Sequence, residues 1–438
     1  MSGTFYLCPM TIEQLYAIYL AHPSIQTDTR KLKPGDIFFA LKGDNFNGNQ
    51  FAASALQAGA AYAVIDEAQF LSGENMILVP DALQALQDLA LYHRRQFSIP
   101  FIAITGSNGK TTTKELVHAV LSTTYRTSTT EGNLNNHIGI PLTILKIPAD
   151  AEVAVVEMGA NHQKEIESYC RYTMPTHGLI TNLGKAHLEG FGGVEGVRKG
   201  KGELFDYLRA HNGTAFVLWD DEYLQQMAGG ISKVIRYGQS AGDFTGKAVK
   251  AADGKDTPFL IVQLTNGTGG GYIHTQLVGD YNLPNVLAAV AVGEYFCIEQ
   301  TAIRNALEAY KPANSRSQFM EKNGNYFILD AYNANPSSMR AAIENFAGIT
   351  ASDKVLMLGA MAELGEESLA EHRNIVNLIG QYKWKAVVLV GGNFSSISHP
   401  HIQLANSALA HDWLQKQNFK GVHLLIKGSR SMQMESVL

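Results

Sequence analysis

Ile104-Thr105-Gly106-Ser107-Asn108-Gly109-Lys110-Thr111-Thr112-Thr113 decides how the rest of the chain is read. The apolar run from Ile99 to Ile104 leads into it and predicts a buried strand. The periodic run from Thr111 to Leu121 predicts a helix. Strand, glycine-bearing turn, Lys-Thr and helix follow one another as in a phosphate-binding loop. In such a loop, backbone N–H groups at a helix N-terminus face an anion that the helix dipole also favours. Gly106 and Gly109 let the backbone curl close to phosphate oxygens, with Ser107, Asn108 and Thr112 between and after them. Lys110 can reach the outer phosphates and the Thr111 hydroxyl can hold Mg²⁺. The common form of the loop has glycine five residues before Gly109, where this chain has Ile104, so the loop is shorter. A tight strand-to-helix turn with a solvated lysine is the alternative.

At 438 residues, and roughly 150 residues per domain, the chain has room for about three cores. Apolar residues make up 45% and charged residues 17%, with a net charge of −5. That suits a folded protein and offers no basic patch for nucleic acid. Cys8, Cys170 and Cys297 lie far apart and form no metal-spaced pair, as expected in a reducing compartment. No signal peptide and no run long enough to cross a bilayer stands out. The expectation is a cytoplasmic protein without membrane insertion, and nothing demands more than a monomer.

The first segment, residues 1–97, opens with a predicted helix Thr11 to Leu20 capped by Thr11. Strands are expected at Ile37 to Leu41 and Ala61 to Ile65, with a small helix Phe51 to Ala58 between them. Pro34-Gly35 marks a turn, and Lys42 to Gly48 is a polar loop that includes Asp44. Thr29, Arg30 and Lys42-Gly43 flank one strand and read either as an anion-binding module or as ordinary surface loops. Val79 to Arg95 is amphipathic and predicts a helix.

The middle segment, 98–310, carries Gly132-Asn133-Leu134-Asn135-Asn136-His137 after the phosphate loop. Such density of Asn and Gly excludes a helix or strand interior, leaving a polar site or an elaborate turn. Val153 to Val156 predicts a buried strand that delivers Glu157 to its carboxyl end, where ligands sit in parallel sheets. Glu157 reads as a Mg²⁺ ligand, a water-orienting group or a salt-bridge partner. Gly178 to Leu183 predicts another strand, with His187 beyond it. Val194 to Leu208 predicts a helix holding Lys199-Gly200-Lys201-Gly202-Glu203. Two interior glycines cost roughly 1 kcal/mol each, so the stretch reads either as a site of close approach or as a solvated basic turn. Strands are expected at Ala215–Leu218, Phe259–Leu264 and Tyr272–Thr275, and a long apolar helix at Val286 to Phe296. Asn282 and Asn285 stand at its start and read either as contacts to a base edge or as caps.

In the last segment, 311–438, a linker Lys311 to Ser317 contains Asn314 and Arg316. A strand Tyr326 to Leu329 ends at Asp330, and a helix Ser337 to Phe346 follows with Ser337 or Ser338 as its cap. Strands Val355–Leu358, Ala386–Val390 and Val422–Ile426 alternate with helices Leu369–Gly380 and Asn406–Lys416, a small parallel α/β unit. Lys427-Gly428-Ser429-Arg430 reads as an anion site opening a helix.

Read together, these stretches resemble the Mur ligase family, the ATP-dependent amide ligases of peptidoglycan precursor synthesis. The resemblance runs nearly end to end: TDTRKLKPGDIFFALKG at 27–43, TGSNGKTTTKE at 105–115, GNLNNHIGIPLT at 132–143, VVEMGANH at 155–162, TNLGKAHLEGFGG at 181–193, KGELF at 201–205, YNLPNVLAA at 281–289, DAYNANPSSM at 330–339 and KGSRSM at 427–432. The shortened phosphate loop is the family's own form. DAYNANPSSM and KGSRSM resemble the member that adds D-alanyl-D-alanine.

The resemblance implies three α/β domains: a small UDP-binding domain, a central ATPase-like domain with a mostly parallel sheet, and a C-terminal Rossmann-like domain. It implies a substrate, UDP-N-acetylmuramoyl-tripeptide, held by Thr29, Arg30 and Lys42 with Asn135 and Asn136. It implies ATP and Mg²⁺, with Thr111, Glu157 and His187 as metal ligands and Lys201 as a carbamate. It assigns Asn282 and Asn285 to the adenine region, and Arg316 and Asp330 to nucleotide contacts. In GAMAELGEE at 359–367 the family pattern has an acidic residue where Ala360 stands, so no role carries over to that position.

Overall fold

The structure, a computed structural model, describes residues 10–43, 45–250, 258–267, 270–313, 315–351 and 353–438. Cys8, Asp44 and Asn314 lie outside the described residues. The chain divides into two compact units. The first holds the chain up to Ile102, Arg126–Gly159 and Glu167–Pro175; the second holds Ala103–Tyr125, Ala160–Ile166 and Thr176–Leu438.

In the first unit, strands Ile25–Gln26, Ile37–Phe39, Tyr62–Ile65 and Met76–Leu78 form a parallel sheet in that order. Phe38, Ala40, Ala63, Ile65 and Met76 pack with Ala52 and Ala55 of helix Ala52–Gln57 into one buried cluster. Thr11 caps helix Ile12–Ala21 as expected and closes a capping box with Gln14. The helix expected from Val79 to Arg95 forms but starts late: helix Ala82–Arg94 begins only after Asp81, whose carboxylate accepts from Gln84 N–H, and Met76–Leu78 just before the run is a strand. Asp81 wins because a capped start satisfies donors that a helix running through Pro80 would leave unpaired. Strand Val153–Glu157, fully buried, pairs in parallel with Thr127–Thr129.

Strand Phe101–Thr105 starts in the first unit and ends in the second. Its five residues are buried and apolar up to Thr105, as a central parallel strand requires. In the second unit Thr181 N–H donates to Thr105 O at 2.9 Å, setting this strand beside His177–Ile180. Thr214–Leu218, Lys233–Gly238 and Phe244–Val249 continue the sheet in parallel. Phe259–Asn266 and Gly271–Val278 then close it antiparallel. Helix Gln300–Ala309 lies along Gly271–Val278, where Glu308 takes the His274 N–H at 2.9 Å. The expected strand Gly178 to Leu183 stops at Ile180, because Thr181 and Asn182 turn to hydrogen-bond the phosphate loop. Helix Leu283–Tyr295 is buried nearly all round and packs on the phosphate-loop helix Lys110–Leu121. Gly293 makes that approach possible: a Cβ there would stand 2.7 Å from Val120 Cγ1.

The six-stranded sheet of the C-terminal part runs in the order Gln318–Lys322, Asn325–Asp330, His423–Lys427, Lys354–Gly359, Ala386–Val390, Ile402–Leu404. Only the first pair is antiparallel. Alternate residues Phe327, Leu329, Val355, Met357, Val388, Val390, Leu424 and Ile426 fill one buried face, and Trp413 and Leu414 of helix Ser407–Lys416 pack against it. The last strand in sequence sits between two earlier ones, so Asp330 and Lys427 are register partners at the carboxyl edge. The cap of helix Pro336–Gly348 is Asn335, not Ser337 or Ser338. Pro336 occupies the first helical turn, and Ser338 completes the capping box.

Candidate active site

The phosphate loop is built as its residues require. Gly106 has φ +139° and Gly109, the helix N-cap, φ +79°. A Cβ on Gly106 would stand 2.0 Å from Thr181 Oγ1, so only glycine fits. The loop is held from outside at Ser107 and Asn108. Ser107 Oγ donates to Gly184 O at 2.9 Å. Asn108 N–H donates to Asn182 Oδ1 at 3.0 Å, and Asn108 O accepts from Thr181 Oγ1 at 2.6 Å and Asn182 Nδ2 at 2.9 Å. Lys110 Nζ curls over the loop and donates to Gly106 O at 2.8 Å and Ser107 O at 3.3 Å. Thr111 is buried at the first turn of the helix and Thr112 is partly exposed beside it.

Asn282 and Asn285 stand inside, under the loop. Asn285 Nδ2 donates to Asn282 Oδ1 at 2.9 Å, and its Oδ1 accepts from Thr113 Oγ1 at 3.0 Å. A Cβ on Gly109 would lie 2.6 Å from that same Oδ1. Asn282 Nδ2 donates to Val278 O at 2.9 Å. Neither side chain caps a helix. Next to Asn282, Tyr281 shares a 2.8 Å hydrogen bond with Ser317, whose N–H donates to Asp330 Oδ1 at 3.1 Å. Asp330 Oδ2 takes Lys427 Nζ at 2.5 Å. Lys427, expected at an anion site, is therefore the buried counter-charge of Asp330, and two 3-10 turns, Arg430–Met432 and Met434–Val437, follow it in place of a helix. Arg316 stacks on Tyr332, its guanidinium 3.7 Å from the ring centre.

His187 is the N-cap of the one-turn helix Leu188–Phe191, with φ +53°. Its Nδ1 meets the carboxylate of Glu363, and this bond holds the Glu363 carboxyl below the usual carboxylate range. Two residues earlier, Lys185 pairs with Glu371 at 2.6 Å, and its N–H donates to Ser337 Oγ at 3.0 Å.

Lys201 is buried at 1% exposure in helix Val194–Ala210. Its Nζ donates to Ala160 O at 2.9 Å and lies 4.9 Å from the centre of the Phe191 ring. Burial, and secondarily the charge of Lys110, push its ammonium well below the usual lysine range; Glu165 and Glu203 oppose the shift. The flanking glycines have a packing reason. A Cβ on Gly200 would stand 2.4 Å from Phe191 Cε1, and one on Gly202 2.6 Å from Met227 Cε.

In the first unit, Glu157 is buried at 1% exposure. Its Oε1 accepts from Asn135 Nδ2 at 2.7 Å, while its Oε2 has no hydrogen-bond partner among the described residues. Asn136 Oδ1 accepts from the Ile138 and Gly139 N–H groups just ahead of and at the start of helix Gly139–Leu145. Thr29 opens the 3-10 turn Thr29–Lys31, and the exposed Arg30 pairs with Asp28 at 2.8 Å. Lys42 pairs with Asp66 at 3.1 Å and lines a pocket with Gly43, Asn45, Phe46, Asn47, Gln50 and Phe51.

Several functional candidates escape a reading of the sequence. Thr181, Asn182 and Asn335 grip the phosphate loop from segments distant in sequence. Glu363 faces His187 from a loop remote from it in sequence. Phe46 and Phe51 stack with ring centres 5.6 Å apart, both exposed, beside Lys42; two exposed phenylalanines five residues apart were the available signal. Among the described residues no group of three or more His, Cys, Asp or Glu side chains is arranged to hold a metal.

Three family profiles match in chain order: "Mur ligase family, catalytic domain" over residues 23–94, "Mur ligase middle domain" over 104–293 and "Mur ligase, glutamate ligase domain" over 315–423. A Bacillus subtilis protein named UDP-N-acetylmuramoyl-tripeptide--D-alanyl-D-alanine ligase is 34% identical over 94% of this chain and 92% of its own length. A crystal structure of MurF from Acinetobacter baumannii superposes with a TM-score of 0.87 at 30% identity, covering 98% of each chain. MurF ligase from Thermotoga maritima in complex with ADP gives 0.85 at 26% identity, over 95% of this chain and 96% of the other. With three domain profiles in sequence and full-length likeness in both sequence and fold, the chain belongs to the Mur ligase family.

Proposed function

We propose that the chain joins D-alanyl-D-alanine to UDP-N-acetylmuramoyl-tripeptide at the expense of ATP. The observation that carries this reading is the likeness, across 94% of the chain, to a relative named for that reaction. A carboxylate and an amine do not condense unaided in water, because oxide is a poor leaving group. The tripeptide carboxylate attacks the γ-phosphorus of ATP and ADP leaves, giving an acyl phosphate. The dipeptide amine attacks the acyl carbon, phosphate leaves, and the amine nitrogen gives up its proton.

The phosphate loop serves this chemistry by position and charge. Thr181, Asn182 and Asn335 hold the loop from outside, with Asn182 accepting the Ser107 and Asn108 N–H groups, so its backbone needs little reorganisation to receive phosphate. Lys110 turns from the loop carbonyls toward the γ-phosphate as the substrate anion approaches. Asn282 and Asn285 support the loop from within and border the adenine region. Arg316 and Asp330 join the nucleotide from the C-terminal part. Thr29, Arg30 and Lys42, with Asn135 and Asn136, serve the UDP-linked substrate, and the Phe46–Phe51 pair gives its base an aromatic surface.

Thr111, Glu157, His187 and Lys201 as a carbamate would hold Mg²⁺, which when bound neutralises phosphate charge. The buried, unpartnered Oε2 of Glu157 is the oxygen donor such a hard cation takes. A lysine whose ammonium is disfavoured by burial presents a free amine, and its addition to carbon dioxide yields an anion in place of a cation. The division into domains falls at 1–97, 98–310 and 311–438. All the residues named come from one chain, so a monomer suffices. A cytoplasmic setting goes with ATP and a nucleotide-linked substrate.

The test is an acceptor panel. Phosphate release is measured with ATP, UDP-N-acetylmuramoyl-tripeptide and, in turn, D-alanyl-D-alanine, D-alanine, D-glutamate and L-lysine. Release confined to the dipeptide, with the amide product in the mass spectrum, is expected. Equal or greater release with a single amino acid would assign the chain to another acceptor.

A further inference from the structure

The site's cations are easily found; its anions are nearly all spent. In the second unit Glu371 holds Lys185, Asp330 holds Lys427, and Glu165 accepts the Asn161 and His162 N–H groups. Glu203 accepts the Lys164 N–H. Glu363 is different. It pairs only with the His187 imidazole among the contacts described, and it is 53% exposed.

The loop around Glu363 is fixed on both sides. Ala360, Met361 and Leu364 are buried, and Met361 N–H donates to His372 Nε2 at 3.1 Å. A Cβ on Gly365 would stand 3.3 Å from Glu189 Cβ, which puts the loop against the segment carrying His187. Glu363 itself is left-handed at φ +61°, facing a His187 that is left-handed at φ +53°. Such conformations cost free energy in residues without glycine's freedom, and they persist where the surroundings impose them. The buried neighbours thus turn one carboxylate outward, to the site edge, at the expense of its backbone.

We propose that Glu363 binds the ammonium end of the incoming dipeptide, exchanging its contact with His187 for the acceptor. This deepens the acceptor assignment made above and rests on it. The zwitterionic dipeptide brings a cation to a site furnished with cations for two anions. A carboxylate beside His187 offsets that mismatch and aims the nitrogen at the acyl carbon. Of the acidic side chains in this loop, Glu363 is the one that reaches His187.

Glu363→Gln removes the charge at constant length, and Glu363→Asp keeps it in a residue more tolerant of the left-handed region. Steady-state KM values for the dipeptide, ATP and UDP-substrate are compared with trapping of the acyl phosphate by hydroxylamine in the absence of dipeptide. The expected result for Glu363→Gln is a roughly tenfold to hundredfold rise in KM for the dipeptide, the size of one hydrogen bond to a charged group. Hydroxamate yield and the other two KM values stay within about twofold, and Glu363→Asp recovers part of the loss. A parallel fall in hydroxamate and amide formation would overturn the proposal, showing that Glu363 only positions His187. So would an unchanged dipeptide KM, equal behaviour of the two variants, or a shift in Mg²⁺ requirement instead. If the unaltered enzyme forms no ATP-dependent hydroxamate, the ligase reading fails with it.

Discussion

Asn335 Nδ2 donates to Asn108 Oδ1 at 2.7 Å, tying the cap of a C-terminal helix to the tip of the phosphate loop. The same Asn335 accepts from Ser338 N–H, so one side chain both starts a helix and braces the loop. The two duties separate by mutation. Asn335→Ser keeps a capping oxygen and loses the reach to Asn108, whereas Asn335→Ala loses both. Asn335→Ala should cost about 1 kcal/mol in urea unfolding and Asn335→Ser only a few tenths. Both should raise KM for ATP several-fold; an Asn335→Ser enzyme with an ordinary KM would show that the loop needs no brace.

Lys110→Ala should lower kcat by roughly 10²–10³, the usual worth of one preorganised charge contact in a transition state. Thermal unfolding without nucleotide should change little, since Lys110 donates to the Gly106 and Ser107 carbonyls of its own loop. Near-normal amide formation by this variant would remove Lys110 from the reaction.

Asn285→Ala leaves Thr113 Oγ1 and Asn282 Oδ1 without the partner they now share. Both are buried, so the expected loss is about 1–3 kcal/mol of unfolding free energy. Because Asn285 also fills the space beside Gly109, ATP affinity should fall in proportion. Equilibrium denaturation and nucleotide titration on one preparation measure both.

His177 gives the stability a pH dependence. Burial, aided by Lys233, holds its imidazole down to about 4 from an ordinary 6.5. The unfolded chain takes up a proton as pH falls below 6.5, and the folded chain does not until about 4. Stability is therefore complete above pH 6.5 and declines as pH drops toward 4. The decline attributable to this group is about 3 kcal/mol. His177→Phe should flatten the curve over that window, as read by urea midpoints at several pH values.

Lys201, if it carries a carbamate, makes activity depend on carbon dioxide. Enzyme stripped at low pH under nitrogen should lose turnover and regain it on addition of bicarbonate, with a mass increment of one carbon dioxide on the peptide containing Lys201. Undiminished turnover by the stripped enzyme, with an unmodified amine, would count against the modification.

The strand-to-helix phosphate loop was legible because its cues are local: five buried residues, two glycines and a helix start. The same holds for Glu157 and Asp330, each placed at the end of an apolar run. What escaped depended on partners remote in the chain. Thr181 and Asn182 read as the end of a strand until the loop they hold is seen. Strands Lys233–Gly238 and Phe244–Val249 escaped because Lys233, Arg236, Gly238 and Gly246 dilute their apolar pattern. Asn323-Gly324, with φ +54° and +71°, joins Gln318–Lys322 to Asn325–Asp330 in a hairpin, and Asn-Gly between two such runs is the strongest local sign of one. The charge pair of Asp330 and Lys427 had no sequence signal, since 97 residues separate its members.

Glu308 taking the His274 N–H has an effect on how the protein behaves toward its own copies. A terminal strand normally offers a ladder of unsatisfied amides onto which a foreign backbone can add. Along Gly271–Val278 that invitation is withdrawn, because Glu308 accepts from His274 on the outer side and its carbonyl takes Gln276 Nε2 at 2.9 Å. A strand adding at this edge meets a helix of the same chain in its way, which favours a dispersed enzyme at high concentration.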